Sequence, residues 1–418
     1  MKAHDLLEAL EADRDAHVLF LQAFTQAPSP NPPGDTIAAA DVLITYLRSH
    51  GIKPEIIAPQ ANSPNVVSDF TSAEEGPRLI MNGHIDVFPV GDADQWARDP
   101  WSGDIVDGRL CGRGTVDMKA GTAASVIAYA YLYRYRMHLK GSLGICAVSD
   151  EETGGRWGAR YLLETPRWKG DCMINAEPGS LNTIRFGEKG SLRLTFTVTC
   201  PGAHGAYLHR SIGANRLAAK LIGELVDAVE SIAPNLSPEL ERHLRDPVVR
   251  KAVDEAMGEG AADISLKATL NVGVMNGGVK VNMIPDKCVF ETDIRLPLGL
   301  TAEEVMEVVH GVLKGYPGAS VAIQEAASNP ASICAHDHPM VKLLADNAER
   351  VTGKRPVAIP SLGATDCKFW RYKGVPAYIF GVSPETMAAR DESVSIDEFL
   401  VVLKTHALAA WQYLGGAV

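Results

Sequence analysis

In the first half of the chain, apolar runs of strand length alternate with helical segments. "RLIMNGHID" is followed by the helix "GTAASVIAYAYLYRY", then "GSLGICAVSD", the helix "GARYLLET" and "DCMINAEP". Ahead of them lie two amphipathic helices, one over "MKAHDLLEALEADRDAHVLFLQAF" and one over "IAAADVLITYLRSHG", closed by Gly51. Strands alternating with helices predict an α/β fold, a mostly parallel sheet flanked by helices on both faces. Polar and acidic residues fall where the strands end, which is where open α/β sheets place their sites. From Lys189 the pattern changes. "GSLRLTFTVTC" alternates strictly, as a half-exposed antiparallel strand does. The β-α-β-β-α-β order that follows predicts a separate α+β sandwich with one open face. The charged helical run from Ser237 to Glu259 reads as an insertion in it. After Ser328 the first pattern returns with "HPMVKLLADNAERVTG", "PVAIPS" and "VPAYIFG". The expected organisation is an α/β domain of residues 1–188 and 328–418, interrupted by a smaller domain of residues 189–327.

Composition excludes several classes. A net charge of -11 with no clustered Lys and Arg argues against nucleic acid, whose phosphates need such a stripe. No apolar run is long enough to span a bilayer, and the acidic N-terminal helix lacks the basic start of a signal peptide. The seven cysteines are scattered without C-x-x-C spacing, as reduced core thiols are. Cytoplasm is the expected compartment.

Four strand-end motifs carry chemistry. In "MNGHIDVFPVGD", His84 and Asp86 point to the same face, because side-chain direction has period two. That spacing suits a metal-binding imidazole whose second nitrogen needs an acceptor, although a strand histidine can equally be a packed core residue. Asp117, in "GRGTVDMKAG", lies among glycines just before a helix, as a ligand approached closely by backbone or as a helix cap. Glu151 and Glu152, in "SDEETGG", are neighbours that a nearby cation could split into a ligand and a general base. They could also be a solvated acidic loop. Glu177 follows an apolar strand in "INAEPGS". Together, and in this order at the strand ends of one domain, they predict a metal site.

These motifs resemble the co-catalytic metallohydrolases that include acetylornithine deacetylase, succinyl-diaminopimelate desuccinylase, aminoacylase and carboxypeptidase G, with 5-nitroanthranilic acid aminohydrolase as a divergent relative. The resemblance covers nearly the whole chain. It implies His84, Asp117 and Glu177 as ligands of one metal, Asp117 bridging to a second, and Glu152 on that second metal. It further implies Glu151 as the general base, Asp86 as the residue orienting His84, and a cis peptide after Asp117. The inserted domain becomes a lid and dimerisation domain. Within it "GAHGAYLHRSIGAN" resembles the segment whose histidine reaches a partner subunit's site, with His204 the better match and His209 a rival. Asn282 and Arg295 occupy positions associated with substrate polar groups or carboxylate, though Arg295 could instead form a structural ion pair. "LGATDCKFW" resembles the family's Gly-Gly-Thr-Asp loop, with Leu362 in place of the first glycine.

One ligand is missing from this pattern. In "SPETMAARDESVSIDEF" the second metal's histidine is expected three residues before the Asp391–Glu392 pair, and Ala388 stands there. Two carboxylates without an imidazole hold tetrahedral zinc poorly. The expectation is one divalent ion per chain, Zn or Mn with Co possible. The expected activity is hydrolysis of a non-ring C–N bond in a carboxylate-bearing N-acyl amino acid or small peptide, by a homodimer or higher homo-oligomer. The alternatives are a single-metal aminohydrolase of an aromatic amine and an inactive binding homologue.

Overall fold

A computed structural model describes residues 2–417 of the chain, which divide into two compact units. The first runs through Phe186 and resumes at Cys334–Ile359 and from Thr365 onward; the second is Gly187–Ile333 with Pro360–Ala364.

The first unit is built on the α/β sheet expected from the alternating pattern. From one edge its strands run Glu55–Ile57, Asn65–Thr71, Lys140–Val148, Glu74–His84, Cys172–Asn175, Ala377–Ile379 and Thr183–Glu188. The central strands are parallel, with His84 beside Val148 and Asn82 beside Asn175. Three strands therefore end side by side. The segments leaving them carry Asp86, Glu151 with Glu152, and Glu177 to one edge of the sheet. Helices Ala120–Arg134 and Ile396–Tyr413 pack on each other and are buried along most of their lengths. The first lies so close to the strand end that a Cβ on Gly121 would come within 2.2 Å of the Ala176 carbonyl oxygen. Only glycine allows that approach.

The N-terminal segment departs from the sequence expectation. It forms two helices, Ala3–Ala12 and Arg14–Thr25, broken at Asp13, whose backbone is non-helical (φ -101°, ψ 19°). Asp13 accepts a hydrogen bond from the Tyr131 hydroxyl, and the two helices pack on different neighbours, Ala3–Ala12 on the C-terminal helix and Arg14–Thr25 on Ile37–Ser49 and Ala120–Arg134. The helix expected over "GARYLLET" shortens to Ala159–Leu162, and Thr165 ahead of Pro166 is extended.

The second unit carries a four-stranded antiparallel sheet in the order Thr269–Gly277, Lys287–Leu296, Gly190–Thr199, Ala319–Ile323. Alternation along Gly190–Thr199 sends Leu192, Leu194, Phe196 and Val198 into the core and exposes Arg193 and Thr199. Helices Ala214–Glu230 and Ala302–Leu313 cover that apolar face through Leu221, Leu225 and Val305. Phe196 and Phe290 stack across the strands at 4.7 Å. Thr269–Gly277 is an edge strand bearing the exposed Val274 and Met275. The charged run from Ser237 to Glu259, expected as an insertion, forms two short helices, Pro238–Arg245 and Pro247–Met257, and a third, Ala261–Ser265, follows it.

All seven cysteines are free. Among the described residues no helix is long and apolar enough to cross a membrane.

Candidate metal centre

His84 closes its strand with a fully buried ring. Its Nδ1 lies 2.8 Å from the backbone carbonyl of Asp86 and 3.5 Å from Asp86 Oδ1. Donating to that carbonyl leaves Nε2 with its lone pair, facing Asp117 Oδ1 at 3.1 Å and Glu177 Oε1 at 3.4 Å. The Asp86 carboxylate is mainly engaged elsewhere. It accepts from Asn31 Nδ2 at 2.9 Å and from the backbone amides of Glu151 (3.3 Å) and Glu152 (3.2 Å). Asp86 thus orients the imidazole through its carbonyl and the Glu151–Glu152 turn through its carboxylate. That turn, Glu151–Thr153, closes on Gly154 and Gly155 at φ +104° and +65°, a backbone that favours glycine.

Asp117 sits between the left-handed Gly114 and the buried helix that begins at Ala120, and its peptide to Met118 is cis. Single donor atoms of His84, Glu151 and Glu177 lie within 4.8 Å of one another, and so do those of His84, Asp117 and Glu152. His84 belongs to both groups. Glu151 therefore stands close enough to His84 and Glu177 to share their ion or to act beside it. Among the described residues no second imidazole joins either group. His338 caps the helix Pro339–Thr352 by accepting from Met340 N, and the His336 ring lies against Phe186.

The donor set fits a divalent cation. His84 Nε2 has Asp117 Oδ1 at 3.1 Å and Glu177 Oε1 at 3.4 Å, those two carboxylates fall in different donor groups that share His84, and Glu152 Oε1 is buried without a hydrogen-bond partner. Burial, then the neighbouring Asp117, pushes Glu152 up to about 10. Burial also holds Glu151 well above the usual carboxylate range, against the opposing pull of Lys368. Burial alone would lower the His84 pKa, but Glu177, Asp117 and Asp86 together drive it well up. A carboxylate raised as far as Glu152 keeps its proton at neutral pH unless a cation takes its place.

Sequence reading missed several supporting residues. Lys368, almost buried, places Nζ 4.0 Å from Glu151 Oε1 and donates to the Thr365 carbonyl at 2.9 Å. Asp366 beside it is pushed up to about 7 by burial, with neither side-chain oxygen hydrogen-bonded. A basic residue inside the apolar "DCKFW" was the available signal for Lys368. Asn31, which donates to Asp86 and to Thr153 Oγ1, gave none.

The remaining candidates lie in the second unit. His204 is exposed and its Nδ1 accepts from Ala206 N. Its strand pairs with Met283–Ile284, and the Asn282 carbonyl accepts from Gly205 N at 2.8 Å, so His204 and Asn282 share one corner. They adjoin a groove of about 730 Å³ lined by His204, Val279, Met283 and Ile284. His209 is exposed and meets the Tyr207 ring edge-on. Arg295 stands well along its strand from Lys287, which also lines that groove. It lies eight residues beyond Lys287 on the strand Lys287–Leu296, a run of roughly 26 Å at strand spacing. Its guanidinium is bound to Asp293 Oδ2 by Nη2 (2.9 Å) and Nε (3.1 Å), an ion pair with which a substrate carboxylate would compete.

One histidine and several buried or half-buried carboxylates gathered at the end of an α/β sheet are what a metallohydrolase needs. The chain belongs to peptidase family M20/M25/M40, whose profile matches residues 80–412, and it is a metal-dependent hydrolase of amide or peptide C–N bonds. It is 28% identical over 390 residues to succinyl-diaminopimelate desuccinylase of Methylorubrum populi, covering 90% of this chain and 92% of that one. The fold is shared with an M20 metallo-carboxypeptidase from Sulfolobus solfataricus (TM-score 0.78, 20% identity, 95% of this chain and 99% of the other). It is shared also with a dinuclear metal-binding M20 peptidase from Bacillus subtilis (TM-score 0.67, 16% identity, 97% and 99%).

Proposed function

We propose that this protein hydrolyses the amide bond of a small carboxylate-bearing N-acyl amino acid or peptide in the cytoplasm, using one divalent metal per chain and Glu151. The observation that carries this reading is the placing of Glu151 against His84 and Glu177, beside the Lys368 ammonium. His84, Asp117 and Glu177 would hold the ion, with Glu152 assisting; Zn and Mn are both suitable and Co is possible. Such an ion supplies Lewis-acid polarisation and a water whose pKa falls to roughly 7 in favourable zinc sites. Glu151 takes the proton of the attacking water as the C–O bond forms. It returns that proton to the leaving nitrogen as the C–N bond breaks. Arg295 would hold the substrate carboxylate.

The separation between Arg295 and the His204–Asn282 corner bears on the oligomer. Arg295 lies roughly 26 Å along its strand from Lys287, which lines the groove beside that corner, so Arg295 and His204 of one chain are poorly placed to hold one small molecule together. If both serve the same reaction, they come from different copies of the chain. We therefore assign His204 to the site of a partner subunit in a homodimer, where it stabilises the developing oxyanion, a contribution worth roughly 3 kcal/mol where measured. His209 is its rival, and Asn282 a polar contact beside it.

Ala388 favours a second reading, in which a one-metal site deaminates an aromatic amine. Incubation with N-succinyl and other N-acyl amino acids, dipeptides and anthranilates separates the readings. Release of free amino acid from the acyl substrates supports the first, ammonia from an anthranilate the second, and no turnover with any divalent metal an inactive homologue. Metal analysis should find one ion per chain; two fully occupied ions about 3.5–4 Å apart would overturn the one-metal assignment.

A further inference from the structure

The segment that carries Ala388 in place of a histidine is tied down throughout. Glu398 accepts from Ser383 N, Thr386 Oγ1 bridges the backbone of Ser393, and Asp391 Oδ1 accepts from Ala97 N at 2.8 Å. Its strand Ser393–Ser395 pairs with Arg109–Cys111. At its centre the Glu392 side chain is fully buried and makes four hydrogen bonds. Oε2 accepts from Arg113 Nη1 at 2.7 Å and Gly114 N at 3.0 Å. Oε1 accepts from Val116 N at 2.9 Å and Asp117 N at 3.1 Å. Arg113 is itself buried over the Trp96 ring.

A buried ion pair contributes little stability that a well-packed apolar pair would not. What this one does specifically is hold three amides of the Gly114–Asp117 loop on a single carboxylate, in a nest. The last of those amides belongs to the residue whose side chain faces His84 Nε2. We propose that Glu392, braced by Arg113, is a positioning residue for Asp117. On this assignment the segment serves the metal centre by fixing a ligand's backbone rather than by supplying a ligand. Partners one step behind a metal ligand typically alter affinity 10–100-fold when changed, which sets the expected effect.

The assignment rests on the metal reading above, and calorimetric titration of the metal-free protein with Mn²⁺ separates the two. Glu392→Gln should bind Mn²⁺ at least tenfold more weakly than wild type. Thr386→Val, which loosens the same segment without touching residues 114–117, should bind as wild type does. If the Gln variant does not fold, Glu392→Asp keeps the charge but withdraws it from the Val116 and Asp117 amides, and the same loss is expected. Saturating Mn²⁺ should restore much of the Glu392 variant's turnover, because Asp117 itself remains. Wild-type-like affinity in the Glu392 variants, or equal weakening in Thr386→Val, overturns the positioning role while leaving the metal site standing. Absence of Mn²⁺ and Zn²⁺ binding by the wild type overturns both.

Discussion

Glu151 is the sequence neighbour of Glu152, the proposed assisting ligand, and lies 4.0 Å from the Lys368 ammonium. Two predictions follow from that position. Glu151→Gln should lower turnover roughly 100-fold or more while metal binding survives, because the base is lost and the ligands are not. Near-normal turnover in a metal-loaded Gln variant would falsify the mechanism. The second concerns Lys368. Burial raises the Glu151 pKa and the ammonium opposes that rise, so removing the charge makes Glu151 harder to ionise. In Lys368→Met the acidic limb of the kcat/KM profile should therefore move to higher pH, with a larger deficit at pH 6 than at pH 8. Lys368→Arg should keep the wild-type limb. An unmoved limb in the Met variant would reduce Lys368 to a brace for the Thr365 loop.

At the scale of elements, two buried helices hold the sheet edge in place, and one of them contains a pH-sensitive residue outside the candidate ligand set. In Ile396–Tyr413, His406 donates from Nε2 to the Phe380 carbonyl at 2.8 Å, while its buried Nδ1 has no partner. Burial pushes its pKa down to about 4, against roughly 6.5 when unfolded. A group whose folded pKa is depressed contributes stability that is full above the unfolded value. That stability is lost as the pH falls from about 6.5 toward about 4, by an amount of order 3 kcal/mol. Urea unfolding should therefore find His406→Gln less stable than wild type at pH 7.5, with the gap narrowing by about 2 kcal/mol at pH 4.5. A gap independent of pH would mean that His406 is not buried neutral.

For the whole molecule, the trans assignment of His204 requires two chains per active site. Mixing an inactive His204→Ala protein with an inactive Glu151→Gln protein should restore activity. One of the two sites in each mixed dimer then has both residues intact, which gives roughly a quarter of wild-type turnover with free subunit exchange. No recovery despite proven exchange would return His204 to its own chain and favour His209. Much of this architecture was legible from local patterns. Strand and helix periodicities, the change of pattern at Lys189 and the strand-end positions of His84, Glu151 and Glu177 all depend on near neighbours. Those neighbours set side-chain direction and burial. Tertiary structure decided what lies far apart in sequence. Glu392 reaches the Asp117 amide across 275 residues and Asn31 reaches Asp86 across 55, while Lys368, on the short helix Cys367–Tyr372, meets the Glu151 turn only once the chain has folded. Even the break at Asp13 comes from the two helices packing on different neighbours. Such pairings leave no period in the sequence, because they are selected by the closing of loops over a common edge, where a buried polar group must find a partner or go unpaired at high cost.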